Sequence, residues 1–246
     1  MKRWGLVFGV VLILFGGVAI WYITQFPRQQ VDSPIGKILE KPLDKYTIDA
    51  LSKRVFEGSE IVFEETIGTT PSYTVQRFSF TSEGKRVTGL AHIPQSASET
   101  KKAPVIVQLR GYVDREKYAP GEGTKRSAEV FARNGFISLA PDFLGYGNSA
   151  SPSADIFEER FETYTTALNL LASVKTLTIA DSDRIGIWGH SNGGQIALTI
   201  LEVTKKPYPT TLWAPVSKPF PYSILYYTDE ASDRGKLIRK RLAKFE

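Results

Sequence analysis

The residues best suited to chemistry are Gly189-His190-Ser191-Asn192-Gly193. The serine has a glycine two positions away on each side. An apolar run, Arg184-Ile-Gly-Ile-Trp188, precedes it, and an apolar helical pattern from Gly193 to Leu201 follows. Strand, sharp turn and helix in that order expose a serine hydroxyl above the strand end as a nucleophile. The glycines fit because the turn leaves no room for side chains. The helix that opens there starts with unsatisfied amides, which favour a negatively charged oxygen. The chemistry this pattern suits is attack of Ser191 on a carbonyl carbon through an oxyanion. Two donors are needed for that oxyanion. One is the backbone N–H of Asn192, directly after the nucleophile. The other is expected from Arg110-Gly111-Tyr112, the loop after the apolar run ending at Leu109. Glycine at 111 lets backbone approach a substrate, and Tyr112 offers its amide or its hydroxyl.

A serine hydroxyl is a weak nucleophile and needs a base. The sequence has two histidines. His190 adjoins the serine, but neighbours on such a turn point apart, so it is expected to pack beside the elbow. His92 lies in an early strand, Gly89-Leu-Ala-His-Ile-Pro94, and reads as structural. In this arrangement the acid and then the base follow the serine in the chain. The 55 residues after Ser191 hold one convincing strand, Thr210–Trp213. Two more crossovers at about 30 residues each do not fit. Asp229 and Asp233 come too early, and the chain stops within a helical pattern at Leu-Ala-Lys-Phe-Glu246. The expectation is a fold lacking its C-terminal strands, with acid and base beyond residue 246. A shortened non-catalytic form is one alternative, and completion by a partner chain is another.

Certain elements must position these groups. Ile61 to Ile67, Tyr73 to Ser82 and Arg86 to Ile93 read as strands, with Ser82-Glu-Gly-Lys85 as a hairpin turn. Ala103-Pro-Val-Ile-Val-Gln-Leu109 and Phe136-Ile-Ser-Leu-Ala140 are short continuous apolar runs, as in buried parallel strands. Helical patterns cover Thr124–Asn134, capped by Gly135, and Phe157–Thr176. A short helix is expected within 47–57. Strands alternating with helices predict a mostly parallel α/β sheet with helices on both faces and antiparallel strands at the front.

Four blocks then occur in order: Gln108-Leu-Arg-Gly-Tyr112, Pro141-Asp-Phe-Leu-Gly-Tyr-Gly-Asn-Ser149, Asp183-Arg-Ile-Gly-Ile-Trp-Gly-His-Ser-Asn-Gly-Gly194 and Leu212-Trp-Ala-Pro215. Over about residues 75–220 the chain resembles the catalytic domain of the prolyl oligopeptidase (S9) family of α/β-hydrolases. The resemblance implies an α/β-hydrolase fold and serine-type peptidase activity, and it makes the region of Asp142 a structural loop. Many large family members carry a β-propeller that gates substrate. The residues between the N-terminal segment and the first strand are too few to build one, which keeps a carboxylesterase or acyl hydrolase open as the alternative.

The chain is long enough for one sizeable domain. It has no cysteine, so disulfides and thiolate sites are excluded. The formal charge of +5 comes from the ends. Lys2 and Arg3 precede an apolar segment, and residues 231–246 hold six basic residues against two acidic ones; the remainder carries 23 basic and 24 acidic. A near-neutral body gives no case for nucleic-acid binding. No cofactor or metal is implied by two scattered histidines. Trp4 to Pro27 lacks charge, and Gly5 to Ile23 is long enough to cross a bilayer as a helix, with Trp21 and Tyr22 at interfacial positions. Lys2 and Arg3 favour a cytoplasmic N-terminus with the remainder outside. A cleaved signal peptide is the alternative, but the run is long for one and no small-x-small site follows. The expected organisation is a transmembrane anchor at 1–25, a linker at 26–58 and an α/β-hydrolase domain at 59–246. The expected substrate is a peptide or acyl ester; oligomeric state is not legible.

Overall fold

The computed structural model describes residues 41–220, 222–225 and 235–242. The chain divides into two units, Met1–Lys41 and Pro42–Glu246. The segment expected to be an anchor lies outside the described residues; among these, no helix is long and apolar enough to cross a membrane.

The second unit is built on a seven-stranded mixed sheet: β1 (Val62–Thr69), β2 (Tyr73–Ser82), β3 (Lys85–Pro94), β4 (Ala103–Leu109), β5 (Ile137–Pro141), β6 (Ala180–His190) and β7 (Thr210–Trp213). Their spatial order is β1-β2-β3-β5-β4-β6-β7. β1, β2 and β3 form an antiparallel meander, β3 meets β5 antiparallel, and β5, β4, β6 and β7 run parallel. Glu83 and Gly84 both take positive φ (49° and 74°), the requirement of the tight turn that joins β2 to β3.

The helices are α1 (Ile48–Ser52), α2 (Lys125–Arg133), α3 (Ile156–Ser173), α4 (Asn192–Thr204), α5 (Tyr222–Leu225) and α6 (Lys236–Leu242). The crossover from β4 through α2 leads to β5. Those through α3 and α4 lead the opposite way, to β6 and β7. Right-handed crossovers in opposite directions place α2 on one face and α3 with α4 on the other. Every residue of β5 is buried, as a strand covered on both faces must be. Phe78, Leu109, Ile137, Leu139 and Ile187 form the centre of the core, and α4 adds Ile196 and Ile200.

Three boundaries differ from the sequence reading. Residues expected in a linker through 58 pack against the core from Leu43 onward: a 3-10 turn covers Asp44–Tyr46, Thr47 caps α1 by accepting the Ala50 N–H, and Leu51 is fully buried. β6 starts four residues before Arg184, because Ala180 and Asp181 pair with the start of β4 ahead of a bulge. Its polar stretch Asp181–Arg184 hid that pairing. α3 stops at Ser173 and tightens into a 3-10 turn over Val174–Thr176.

Candidate active site

The crossovers from β4 and β6 leave these adjacent strands in opposite directions, which opens a crevice beyond their carboxyl ends. The loops there carry Gly111 and Ser191. Leu109 and Gly189 are register partners, so the two loops start level. A β-carbon placed on Gly111 would lie 3.1 Å from Ser191 Cβ and 3.3 Å from His190 Nδ1. Only glycine leaves that approach open.

Ser191 has φ 52° and ψ −116°, a conformation that costs a non-glycine residue roughly 1–3 kcal/mol and persists only where surroundings impose it. Three backbone hydrogen bonds impose it. The Ser191 N–H donates to the Trp213 carbonyl (3.1 Å), and the Ser191 carbonyl accepts from the N–H groups of Gly194 (3.0 Å) and Val216 (2.9 Å). The end of β7 and the loop after it thus hold the elbow. Gly193 completes the turn: a β-carbon there would overlap the Leu109 carbonyl at the end of β4.

The N–H groups of Asn192 and Tyr112 donate to no described residue. Asn192 opens α4, where an N–H has no intrahelical partner. Tyr112 is oriented by Arg110, a residue the sequence reading did not single out. Arg110 Nη1 donates to the Gly111 carbonyl (2.9 Å) and Nη2 to the Asp142 carbonyl (2.9 Å). Its guanidinium stacks 4.1 Å from the Tyr146 ring centre and 4.6 Å from that of Tyr118. Carbonyl and N–H point oppositely across a trans peptide, so holding the Gly111 carbonyl turns the Tyr112 N–H the other way. The Tyr112 side chain is 75% exposed, and its hydroxyl pairs with Asp114, which leaves the amide as the available donor. The signal for Arg110 was a charged residue closing an otherwise buried strand.

Asp142 is fully buried, with one carboxylate oxygen accepting from Thr88 Oγ1 (2.5 Å) and the other from the Tyr118 hydroxyl (2.5 Å). Burial first, then this carboxylate, pushes the Tyr118 phenol well above its ordinary pKa. Both oxygens are engaged in holding loops, which is a structural role. His92 lies within β3, paired in register with Val75 and Ser138, and is 1% exposed. Neither ring nitrogen has a partner among the described residues, and burial lowers its pKa to about 4. His190 packs its ring against Trp213 (5.5 Å) and Trp188 (6.3 Å). Among the described residues the Ser191 elbow and two backbone N–H groups thus come together, and neither histidine is hydrogen-bonded to the serine. Asp229 and Asp233 lie outside them. Among the described residues no group of three His, Asp or Glu could hold a metal ion. Beside Asn192 and Tyr112 opens a cavity of about 440 Å³ walled by Phe143, Phe157, Thr163 and Ile196.

Residues 123–229 match the model of the prolyl oligopeptidase family. No curated protein sequence matches the chain. Among solved structures, an acetyl xylan esterase from Thermoanaerobacterium sp. is similar at TM-score 0.55 and 17% identity, over 83% of this chain and 71% of its own. An acetyl xylan esterase from Paenibacillus sp. gives 0.53 and 17%, over 80% and 69%. A hypothetical protein from Pseudomonas aeruginosa gives 0.53 and 16%, over 74% and 55%. At these identities the likeness is one of fold, and the fold is that of the α/β-hydrolases.

Proposed function

We propose, from a chain that carries a prolyl-oligopeptidase-like α/β-hydrolase domain, that Ser191 is the nucleophile of acyl transfer to water, with a peptide bond as the target. The observation that carries the reading is the strained backbone of Ser191 beside Gly111, where even an added β-carbon would come within 3.1 Å of Ser191 Cβ, with two backbone N–H groups next to it. Ser191 Oγ attacks the carbonyl carbon, and the developing oxyanion takes hydrogen bonds from Asn192 N–H and Tyr112 N–H. Collapse expels the amine or alcohol and leaves an acyl group on Ser191, which water then removes. The proton from Oγ goes to a base that the described residues do not contain. The family match over 123–229 favours the peptide target. The esterases of like fold favour an ester as the second reading.

A fluorophosphonate probe tests the nucleophile. It is expected to add to Ser191, faster with free imidazole present, and Ser191→Ala is expected to take none. Equal labelling of both proteins would sink the reading. Parallel rates on aminoacyl amides and on acyl esters then decide between the two targets. The apolar segment 5–23 is proposed to hold the domain at a membrane, on its outer side.

A further inference from the structure

Tyr112 lies on an exposed loop, yet an oxyanion donor works only when it is held in place before the charge develops. The carbonyls on either side of Tyr112 show what holds it. The Gly111 carbonyl accepts from Arg110 Nη1 (2.9 Å), and the Val113 carbonyl accepts from the Tyr146 hydroxyl (2.9 Å). Tyr146 serves both supports. Its ring centre lies 4.1 Å from the Arg110 guanidinium, and the Tyr118 ring stands at 75° to it, 5.1 Å away. The two rings thus form a corner around Arg110, which is itself buried. Tyr146 has a fixed backbone from which to do this. Its N–H donates to the Phe143 carbonyl (3.3 Å), and its carbonyl accepts from the Ser149 N–H (3.0 Å). The hydroxyl therefore joins the loop after β5 to the loop after β4, across 33 residues of chain. One neutral hydrogen bond adds little to global stability, so its main consequence is local.

Resting on the proposed acyl transfer at Ser191, we infer that Tyr146 is a positioning residue for the oxyanion donor. Its hydroxyl fixes the Val113 carbonyl, its ring fixes Arg110, and together they preset the Tyr112 N–H beside Ser191. It acts through Val113 and Arg110 and moves no proton.

The full chain is labelled by the fluorophosphonate with imidazole supplied, over a range of probe concentrations. This separates the maximal rate from the half-saturating concentration. Tyr146→Phe keeps the ring and deletes the hydroxyl; Tyr146→Leu deletes both functions. Tyr46→Phe deletes a hydroxyl bond to Glu158 (3.1 Å) and is the control for loss of a bond alone. Tyr146→Phe is expected to lower the maximal rate at least about threefold and Tyr146→Leu at least about tenfold, a fraction of the loss that follows full removal of a donor. The half-saturating concentration in Tyr146→Phe is expected to stay within about twofold, and Tyr46→Phe to leave the maximal rate within about twofold. Hydrogen–deuterium exchange of the 111–114 amides, read by mass spectrometry, follows the loop without any labelling. It is expected to quicken in Tyr146→Phe and not in Tyr46→Phe. An unchanged maximal rate, an unchanged loop exchange, or an equal rate loss in Tyr46→Phe would each overturn the inference. Absence of labelling in the wild-type chain would overturn the nucleophile reading alone, and the loop exchange would still decide whether Tyr146 holds Tyr112.

Discussion

Ser191 occupies a conformation that glycine would occupy with less strain. Ser191→Gly is expected to stabilise the domain by about 1 kcal/mol, raising Tm by roughly 2–4 °C in a thermal melt. The same change removes all fluorophosphonate labelling. Gly111 faces the opposite constraint. In Gly111→Ala the new methyl would press against Ser191 Cβ at 3.1 Å, so the amide donor beside it is displaced. Loss of one oxyanion donor costs about 10²–10³ in rate, and labelling of this variant is expected to slow at least tenfold with little change in Tm. His92 sets a pH dependence. Its folded pKa of about 4 lies below the ordinary 6.5, so the unfolded chain takes up the proton first as pH falls. The stability it contributes is intact above pH 6.5 and is lost as pH drops from there to about 4. Tm measured across that window is expected to decline, and His92→Phe to flatten the decline.

At the scale of elements, two small structures carry the site. The loop after β7 holds Ser191 through the Val216 N–H. Val216→Pro deletes that donor, and it is expected to slow labelling of Ser191 in protein that remains folded, which circular dichroism checks. α3 supplies Phe157, Arg160 and Thr163 to the cavity, and its start is fixed by Asp155, which accepts from the N–H groups of Phe157 (2.9 Å) and Glu158 (3.2 Å). Asp155→Ala is expected to cost about 1 kcal/mol of stability, read as a fall in Tm. Hydrophobic periodicity made the strands and helices legible, because the buried runs of β4 and β5 and the glycines of the elbow are strong local signals. The boundaries at α1 and the start of β6 were not legible. Leu51 is buried by tertiary packing alone, and the polar start of β6 is strand only because β4 lies beside it.

For the whole molecule, the decisive facts are a formed elbow and the placement of both histidines away from the role of base. The purified 246-residue chain is expected to turn over esters and amides at about 10⁻⁴ to 10⁻⁶ of the rate of a complete triad, since loss of the base costs on that order. Free imidazole is expected to recover part of that rate with wild-type protein and none with Ser191→Ala. Turnover at ordinary enzyme rates without imidazole would refute this.

The sequence by itself determined the strand–turn–helix elbow at Ser191, the order of strands and helices and the scarcity of histidine, because each follows from residue type and spacing along the chain. Only the tertiary structure decided what surrounds Ser191. The meeting of Gly111 with Ser191 depends on β4 and β6 becoming neighbours, although 70 residues separate them in the chain, with α2, β5 and α3 intervening. The grip of Arg110 on the Asp142 carbonyl, the neutral burial of His92 and the pairing of Glu162 with Lys85 are likewise contacts between distant segments. Local pattern does not encode such contacts; the packing of the sheet and its helices creates them.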